Sequence, residues 1–337
     1  MEIKTVNVKS SCITATVRLL LLCSLVVAGC RTEEQVQIRI DRMEQSLFAV
    51  PIDSVAEKIP QLQHHYGQMF ALYCRGILDI GLPDDPDFPL RLTGFLTDPH
   101  MNMAYRKVTE SFPDLSGLEK KLSNAFSRYH RAFPEKIVPE IYTLISGFNQ
   151  SMIISDSLLA ISLDKYLGAG EEMYARLGFA VYQRKLMDRQ YIASDCMKAW
   201  AYGEFPNTDS AENVLSNILY EGKIAYFTAQ MLPNDLDSVI FGFSPDQMKW
   251  CSNNTLQMWT FLISQKMLYA TDYMTINKLV GPAPFTALFT RESPGRAAVW
   301  LGYQIILSYM KHNDVTLEEL MNNNNYLDIL SNAKFKP

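Results

Sequence analysis

The carboxylate of Glu221 has the most informative surroundings of any ionisable group in this sequence. In the helix predicted around it, a rotation of about 100° per residue places Val214, Ile218 and Ala225 within about 60° of Glu221, whereas Lys223 falls on the opposite side. A carboxylate among apolar neighbours costs several kcal/mol unless it is paired or protonated. The pattern therefore predicts an inward-facing Glu221 that has a chemical partner. The alternative is a Glu at the edge of the apolar stripe that reaches solvent.

One setting that places a Glu on the inner face of a helix is the zinc-peptidase motif HExxH, in which two His bind the metal and the Glu is the general base. Aligning this motif on Glu221 puts Tyr220 and Ile224 at the His positions. Neither side chain can supply the neutral imidazole that such a site uses. The sequence also has no pair of histidines four residues apart; its histidines are His64, His65, His100, His130 and His312. We therefore predict no metal, no cofactor and no catalytic residue.

Other catalytic motifs are missing from the sequence as well. It contains no GxSxG elbow, no phosphate-binding loop and no GxGxxG. Asp164, Asp188 and Asp195 could be paired as acid and base, but a chain with 36 acidic residues offers many such pairs. These three residues therefore support no specific prediction of a reaction.

Arg296 stands where a helix is predicted to begin, directly after Pro294 and Gly295. The helix dipole disfavours a cation at a helix N-terminus, so an Arg at this position suggests an inward-facing anionic partner. Our hypothesis is that this partner is Glu221. An exposed Arg296 is the alternative.

The N-terminus has the features of a bacterial lipoprotein signal. Three basic residues precede an apolar run over residues 19–27, which is too short to span a membrane, and the sequence Val27-Ala28-Gly29-Cys30 follows. We predict a signal peptide over residues 1–29, lipidation of Cys30 and a short tether over residues 30–35; a chance Cys is the alternative. A diacylglyceryl group would hold the protein on a membrane without a spanning helix. The mature chain would have 308 residues, with 28 basic and 35 acidic groups and a net charge of −7.

The remaining residues, 36–337, are predicted to form one globular domain of the α+β class, mostly helical, with a small sheet near the middle of the chain. Alternating apolar residues predict a strand over 36–43, and runs over 137–147 and 152–163 predict an antiparallel sheet. A helical period predicts helices over 53–81, with an interruption near Pro60, and over 101–111, 115–131, 171–190, 195–201, 210–231, 244–268 and 296–311.

Composition narrows the function classes. An acidic surplus argues against a nucleic-acid binder that works by electrostatics. Cys74, Cys196 and Cys251 remain after signal removal, are widely spaced, and are predicted to be small buried hydrophobes. A single disulfide among them is the alternative.

Several segments together resemble the gliding motility-associated lipoprotein GldB family of the Bacteroidetes. The resemblance runs across nearly the whole mature chain. The segments that carry it are the lipobox Cys30, Ser146-Gly147-Phe148-Asn149, Leu163-Asp164-Lys165-Tyr166-Leu167-Gly168, Glu221-Gly222-Lys223-Ile224-Ala225-Tyr226 with Leu232-Pro233, and the predicted helix over 296–309 with its Trp300-Leu301-Gly302-Tyr303-Gln304 centre.

The resemblance implies a degenerate zincin-like domain, because the family is similar to predicted zinc-dependent peptidases that carry HExxH. Tyr220, Glu221, Ile224 and Arg296 would then line a vestigial active-site cleft. The expected acidic ligand on a later helix is absent from the polar turn predicted at residues 253–255. The resemblance further implies an outer-membrane lipoprotein that faces the periplasm and binds protein partners of the gliding or type IX secretion machinery.

Three functions remain open at this point. The first is a non-enzymatic accessory or assembly component that binds proteins. The second is an active peptidase or hydrolase with Glu221 as general base. The third is a lipoprotein that binds a peptide or glycan in the old cleft.

Overall fold

The computed structural model describes residues 35–208 and 212–337. The predicted signal peptide and Cys30 lie outside the described residues. Within the described ranges, no helix has the length and apolar composition to cross a bilayer. The strands are β1 (Ile40–Arg42), β2 (Glu140–Leu144), β3 (Met152–Ile154) and β4 (Leu158–Ser162). The helices are α1 (Met43–Phe48), α2 (Val55–Tyr66), α3 (Gln68–Ala71), α4 (Phe88–Thr97), α5 (Pro99–Ser111), α6 (Ser116–Ala132), α7 (Glu172–Arg176), α8 (Val181–Arg184), α9 (Ile192–Glu204), α10 (Val214–Met231), α11 (Asp237–Phe241), α12 (Pro245–Ser264), α13 (Tyr273–Val280), α14 (Ala297–His312), α15 (Leu317–Asn322) and α16 (Tyr326–Ala333).

The class is α+β and mostly helical, as the sequence predicts, but the sheet is mixed. The strand order is β1-β2-β4-β3, with β1 parallel to β2 and β2 parallel to β4. Among the strands of residues 35–208 and 212–337, only the β3–β4 hairpin is antiparallel, so the prediction of an antiparallel sheet is wrong. The reason is that the chain reverses direction twice between β2 and β4, once before β3 and once after it. Strand β4 therefore pairs with β2 in the parallel direction. An alternating pattern reports which face a residue occupies and says nothing about strand direction.

Both faces of the sheet are covered. Tyr142 and Leu158 pack with α1 to α4 on one face, whereas Ile141 and Leu159 pack with α6 and α9 on the other. Because β2 and β4 are central strands with buried faces on both sides, they read as nearly continuous apolar runs.

Helix α10 lies between two cores. Ile224 and Phe227 belong to the core that includes the sheet, and Ile218 belongs to the core of α12, α13, α14 and α16. The sequence places Lys223 opposite the apolar stripe, but the two cores that pack around α10 leave it no solvent-exposed side. Lys223 is buried, and its Nζ donates to the carbonyl of Asn323 at 2.8 Å. Burial lowers the pKa of Lys223 to about 8.

Helices α10 and α14 touch through two glycines. A Cβ placed on Gly222 would lie 2.7 Å from the carbonyl oxygen of Gly302 and 2.8 Å from the backbone nitrogen of Tyr303. A Cβ on Gly302 would collide with the carbonyl oxygen of Ile218. Only glycine at both positions permits this distance between the helix backbones, which explains the glycines in the Glu221-Gly222-Lys223 and Leu301-Gly302-Tyr303 segments.

Several predicted helices have different bounds in the structure. The interruption predicted near Pro60 is wrong, because Pro60 lies inside α2. The helix predicted over 53–81 breaks instead at Gly67, whose φ is +48°, and residues Leu72–Ile77 then form a π-helix. The helix predicted over 171–190 is split into α7, α8 and a short 3-10 turn, with Gly178 at φ +81° between the first two. The polar turn predicted at 253–255 lies inside α12, because Asn254 and Thr255 bond back to carbonyls four residues earlier.

Two further features concern the N-terminal strand and the cysteines. Of the strand predicted over 36–43, only Ile40–Arg42 pairs with the sheet, because the preceding residues hydrogen-bond to side chains of α6. Cys74, Cys196 and Cys251 are buried and free, which confirms their prediction as small core residues.

The close crossing of α10 and α14 predicts that Gly302→Ala destabilises the protein by about 2–4 kcal/mol, because the added methyl forces the helices apart. Gly94 in α4 is a matched control, since nothing lies within 4 Å of a Cβ built there. Gly94→Ala should stabilise the protein by roughly 0.5–1 kcal/mol through helix propensity. Urea unfolding of both variants measures the difference, and an undiminished stability for Gly302→Ala would contradict the packing argument.

Candidate functional site

The site around Glu221 is an ion pair between the two central helices. The Nη2 of Arg296 donates to Oε2 of Glu221 at 2.6 Å, and the hydroxyl of Tyr202 donates to the same oxygen at 2.7 Å. The side chain of Glu221 is 17% exposed and that of Arg296 is 36% exposed. The hypothesis that Arg296 is the partner of Glu221 is therefore confirmed. Both contacts are charge-assisted, and both stabilise the negative charge on Glu221.

The backbone of Arg296 is held in an unusual conformation. Its φ is +61°, in the left-handed region, and it precedes α14 as the N-cap residue. A non-glycine residue in this region costs roughly 1–2 kcal/mol. The arginine side chain offsets this cost by a second hydrogen bond, from Nε to the carbonyl of Val280 at 2.8 Å. Thr286 supplies the missing cap, since its Oγ1 accepts from the Ala297 backbone N–H at 2.8 Å.

Helix α9 adds polar groups to the site; sequence reasoning missed Tyr202 and Lys198, and it named Asp195 without giving it a specific role. Tyr202 contacts Glu221 directly, and Lys198 lies one turn earlier with its Nζ 3.7 Å from Oδ1 of Asp195. The hydroxyl of Tyr166 donates to Oδ2 of Asp195 at 3.0 Å. Burial lowers the pKa of Lys198 and raises that of Asp195. Residues 195, 198 and 202 share one side of a helix that is otherwise apolar, and that polar stripe is the signal that could have identified them.

A small cavity lies beside the ion pair. It has a volume of about 20 Å³, and its lining includes Glu221, Ile224, Arg296, Lys198 and Tyr202. This volume is enough for one water molecule. Of the four residues named for the proposed vestigial cleft, Glu221, Ile224 and Arg296 line this small cavity. Tyr220 is not among the lining residues.

The side chains at the two HExxH histidine positions have separate roles. Tyr220 packs between the two cores, and its ring centroid lies 6.0 Å from that of Tyr202. Ile224 is buried in the core that includes the sheet. In residues 35–208 and 212–337, no three His, Cys, Asp or Glu side chains come together as a group that could hold a metal ion. The arrangement is suited to fixing the position of Arg296, and through it the 281–296 loop, against α10.

Two of the segments that carry the family resemblance, in α10 and in α14, thus pack against each other beside the ion pair. The family model of the gliding motility protein GldB matches residues 30–337. The chain belongs to this family. The family is named for gliding motility and for its lipoprotein character. No curated protein and no solved structure matches the chain.

Two other GldB-like segments meet at Asp164. This carboxylate is fully buried and accepts from the backbone N–H groups of Phe148, at 2.6 Å, and Ser146, at 3.1 Å. Gly147 and Phe148 both have left-handed backbones, with φ of +66° and +65°. The Nζ of Lys165 donates to the Phe148 carbonyl at 3.1 Å. The 163–168 segment therefore fixes the strained turn at 146–149, and the Asp164 carboxylate has a structural role in this turn.

The Glu221–Arg296 pair predicts non-additive destabilisation. Glu221→Gln and Arg296→Met should each cost about 2 kcal/mol, and the double variant should show a coupling of about 1–3 kcal/mol, because each single change leaves a half-buried charge unpaired. The exposed pair Arg176–Glu172, 3.0 Å apart, serves as the control cycle, with an expected coupling below about 0.5 kcal/mol. Equal couplings in the two cycles, measured by urea unfolding, would refute a special role for the inner pair.

Asp164 predicts a pH dependence of stability. Burial raises its pKa to about 6, against the lowering effect of the N–H groups of Phe148 and Ser146. Between its unfolded value of about 4 and pH 6 the folded state binds more protons than the unfolded state, so this group makes the free energy of unfolding fall as pH rises. The fall should be about 2–3 kcal/mol from pH 4 to 6 in the wild type relative to Asp164→Asn. Parallel stability curves for the two proteins would show that the prediction is wrong.

Proposed function

We propose that this GldB-family protein is a membrane-anchored, non-enzymatic accessory or assembly component of the gliding motility or type IX secretion machinery, and that it acts by binding other proteins. In this proposal Cys30 carries the lipid anchor, and the domain faces the periplasm from the outer membrane. Family membership supports the gliding-motility and lipoprotein parts of the proposal. The match begins at the residue that we propose as the lipidation site.

The observation that best supports a non-enzymatic role is that the Glu221 carboxylate is already bonded to other side chains of the protein. Its Oε2 accepts from both Arg296 and Tyr202, and Tyr220 and Ile224 stand where metal ligands would be needed. A general base must reach a water or substrate proton within hydrogen-bond distance. A carboxylate that joins two helices through Arg296 is instead part of the packing, so the zincin-like helix would retain its Glu for a structural reason.

The alternative functions make different demands on this site. A peptide or glycan site normally has a volume of about 300–1,000 Å³, whereas the cavity beside Glu221 has about 20 Å³. Binding of such a ligand would require α10, α11 and the 281–296 loop to separate. A hydrolase would need a metal or another activating group in addition to Glu221.

Metal analysis of the purified full chain separates the proposal from the hydrolase alternative. We expect no stoichiometric zinc and no change in melting temperature on treatment with a chelator, because the two HExxH histidines are replaced. Stoichiometric zinc whose removal lowers the melting temperature would establish the alternative, since metal bound by the folded state contributes its binding free energy to stability.

The anchor is tested by Cys30→Ala. We expect this variant to leave the membrane fraction, because the acyl chains supply the buried apolar groups that anchor a lipoprotein stably in a bilayer. Cys23→Ala is the matched control, since Cys23 lies within the apolar run of the signal and outside the lipobox; it should stay in the membrane fraction. Retention of Cys30→Ala in the membrane fraction would contradict lipidation at this residue.

The partner is tested by purification of the intact lipidated protein from the envelope. Proteins of the gliding or secretion machinery should co-purify with it under conditions in which the Cys30→Ala variant recovers fewer of them. Recovery of the protein alone under both conditions would contradict a role through protein binding.

A further inference from the structure

Helix α6 is basic in a chain that is otherwise acidic. The whole chain has 31 basic and 36 acidic residues, whereas α6 has four basic residues, Lys120, Lys121, Arg128 and Arg131, and one acidic residue, Glu119. The carboxylate of Glu119 accepts from the Ile40 backbone N–H at 2.9 Å, which directs it toward the N-terminal segment. The positive charge of this helix is therefore concentrated in one part of an acidic surface.

The basic residues share one exposed side of α6. At about 100° per residue, Lys120, Asn124 and Arg131 lie within about 40° of one another, with Arg128 next to them. Lys120, Asn124 and Arg131 are exposed. Beside this face is an open groove of about 290 Å³ between α6 and the turn at residues 232–235, lined by Lys120, Lys121, Asn124 and Arg128.

The groove also contains one acidic side chain. Asp235 forms an ion pair with Lys121, with Nζ and Oδ1 2.7 Å apart. Arg128 uses Nη1 for the carbonyls of Asn124 and Met231, at 3.1 and 3.2 Å, which holds its guanidinium at the end of α10. The groove thus retains a positive balance, because its lining includes three basic side chains, Lys120, Lys121 and Arg128, and one acidic side chain, Asp235.

The globular domain begins on the same helix. The backbone N–H of Val36 donates to Oγ of Ser127 at 3.0 Å, and that of Ile38 donates to Oγ of Ser123 at 2.9 Å. The extended N-terminal segment therefore runs along α6 next to the basic face. Two residues of the segment cover about one turn of the helix, because Val36 and Ile38 bond to side chains four residues apart. Val36 follows Cys30 by six residues, and six residues span at most about 20 Å. A lipid on Cys30 would keep this part of the domain close to the bilayer surface.

We propose that the groove formed by α6 and the 232–235 turn binds anionic phospholipid headgroups of the membrane to which the protein is anchored, and so sets the orientation of the domain. This inference rests on the proposed lipid anchor at Cys30. Lys and Arg side chains bind headgroup phosphates, and each contributes about fivefold in affinity near an anionic surface. A body with net charge −7 is otherwise repelled by such a surface, so the basic face is the one that would turn toward it.

The two ends of α10 lie at different distances from α6. Its C-terminal end lies at α6 through the Arg128–Met231 contact. Its N-terminal end contacts the loop before α13 through the bond from the Val214 N–H to the Ala270 carbonyl at 3.0 Å. A helix of 18 residues is about 27 Å long. Met274, which is exposed at the start of α13, therefore lies toward the end of α10 that points away from α6 and provides a control position.

The test uses the lipidated full chain in phosphatidylcholine bilayers with a nitroxide on the headgroups, with and without about 30 mol % phosphatidylglycerol. A fluorophore is placed on Asn124→Cys or, as the control, on Met274→Cys; the three remaining native cysteines are buried. We expect quenching at position 124 to increase at least twofold when the anionic lipid is present and to reverse in high salt. Quenching at position 274 should stay low.

Charge removal gives the second measurement. Lys120→Gln should weaken docking of the labelled face about fivefold, whereas Lys278→Gln, an exposed lysine of α13 with the same loss of charge, should not change it. Two results would overturn the proposed surface without contradicting the lipid anchor. One is equal quenching at positions 124 and 274, and the other is quenching at position 124 that does not change when anionic lipid is added. Protein that does not co-elute with the bilayer at all overturns the anchor, and this inference with it.

Discussion

The close crossing of α10 and α14 is the constraint on which the rest of the domain depends. Gly222 and Gly302 let the two backbones touch, and this contact brings the start of α14 next to Glu221. Arg296 can then bond to Glu221 and to the Val280 carbonyl together. These bonds hold the left-handed backbone at Arg296, which in turn sets the direction in which α14 leaves the 281–296 loop. One small-residue contact therefore positions both a helix and the ion pair beside it.

Because α10 is buried between two cores, each of its ionic side chains needs a partner in the protein. Glu221 has Arg296 and Tyr202, and Lys223 has the carbonyl of Asn323. These contacts extend in opposite directions from one helix, to the loop before α14 and to the turn before α16. A buried charge has few satisfactory arrangements, so the two lateral contacts restrict how the C-terminal helices can pack. The polar residues of α10 thus specify an arrangement that its apolar residues alone would leave less defined.

The same reasoning applies to Glu221, which aligns with the general base of the HExxH motif. In an active zinc peptidase the carboxylate must act on a metal-bound water. In this GldB-family chain the same position carries a carboxylate with two donors and a cavity with space for about one water molecule. Glu221 is thus part of the packing between α10 and the start of α14. The membrane-facing surface proposed for α6 lies at the C-terminal end of α10, next to the four basic residues of α6.

The sequence by itself determined that Glu221 faces inward and that the domain is mostly helical. Apolar periodicity placed Glu221 inside, the helix dipole argued for an anionic partner of Arg296, and wide spacing identified the three cysteines as core residues. Tertiary structure alone decided the direction of β2 and β4, the burial of Lys223, the small size of the cavity and the contact between Tyr202 and Glu221. The physical reason is that periodicity reports one helix or strand against an average interior. Strand direction, a second buried face and the partner of a charge depend on elements distant in sequence, and these meet only when the chain folds.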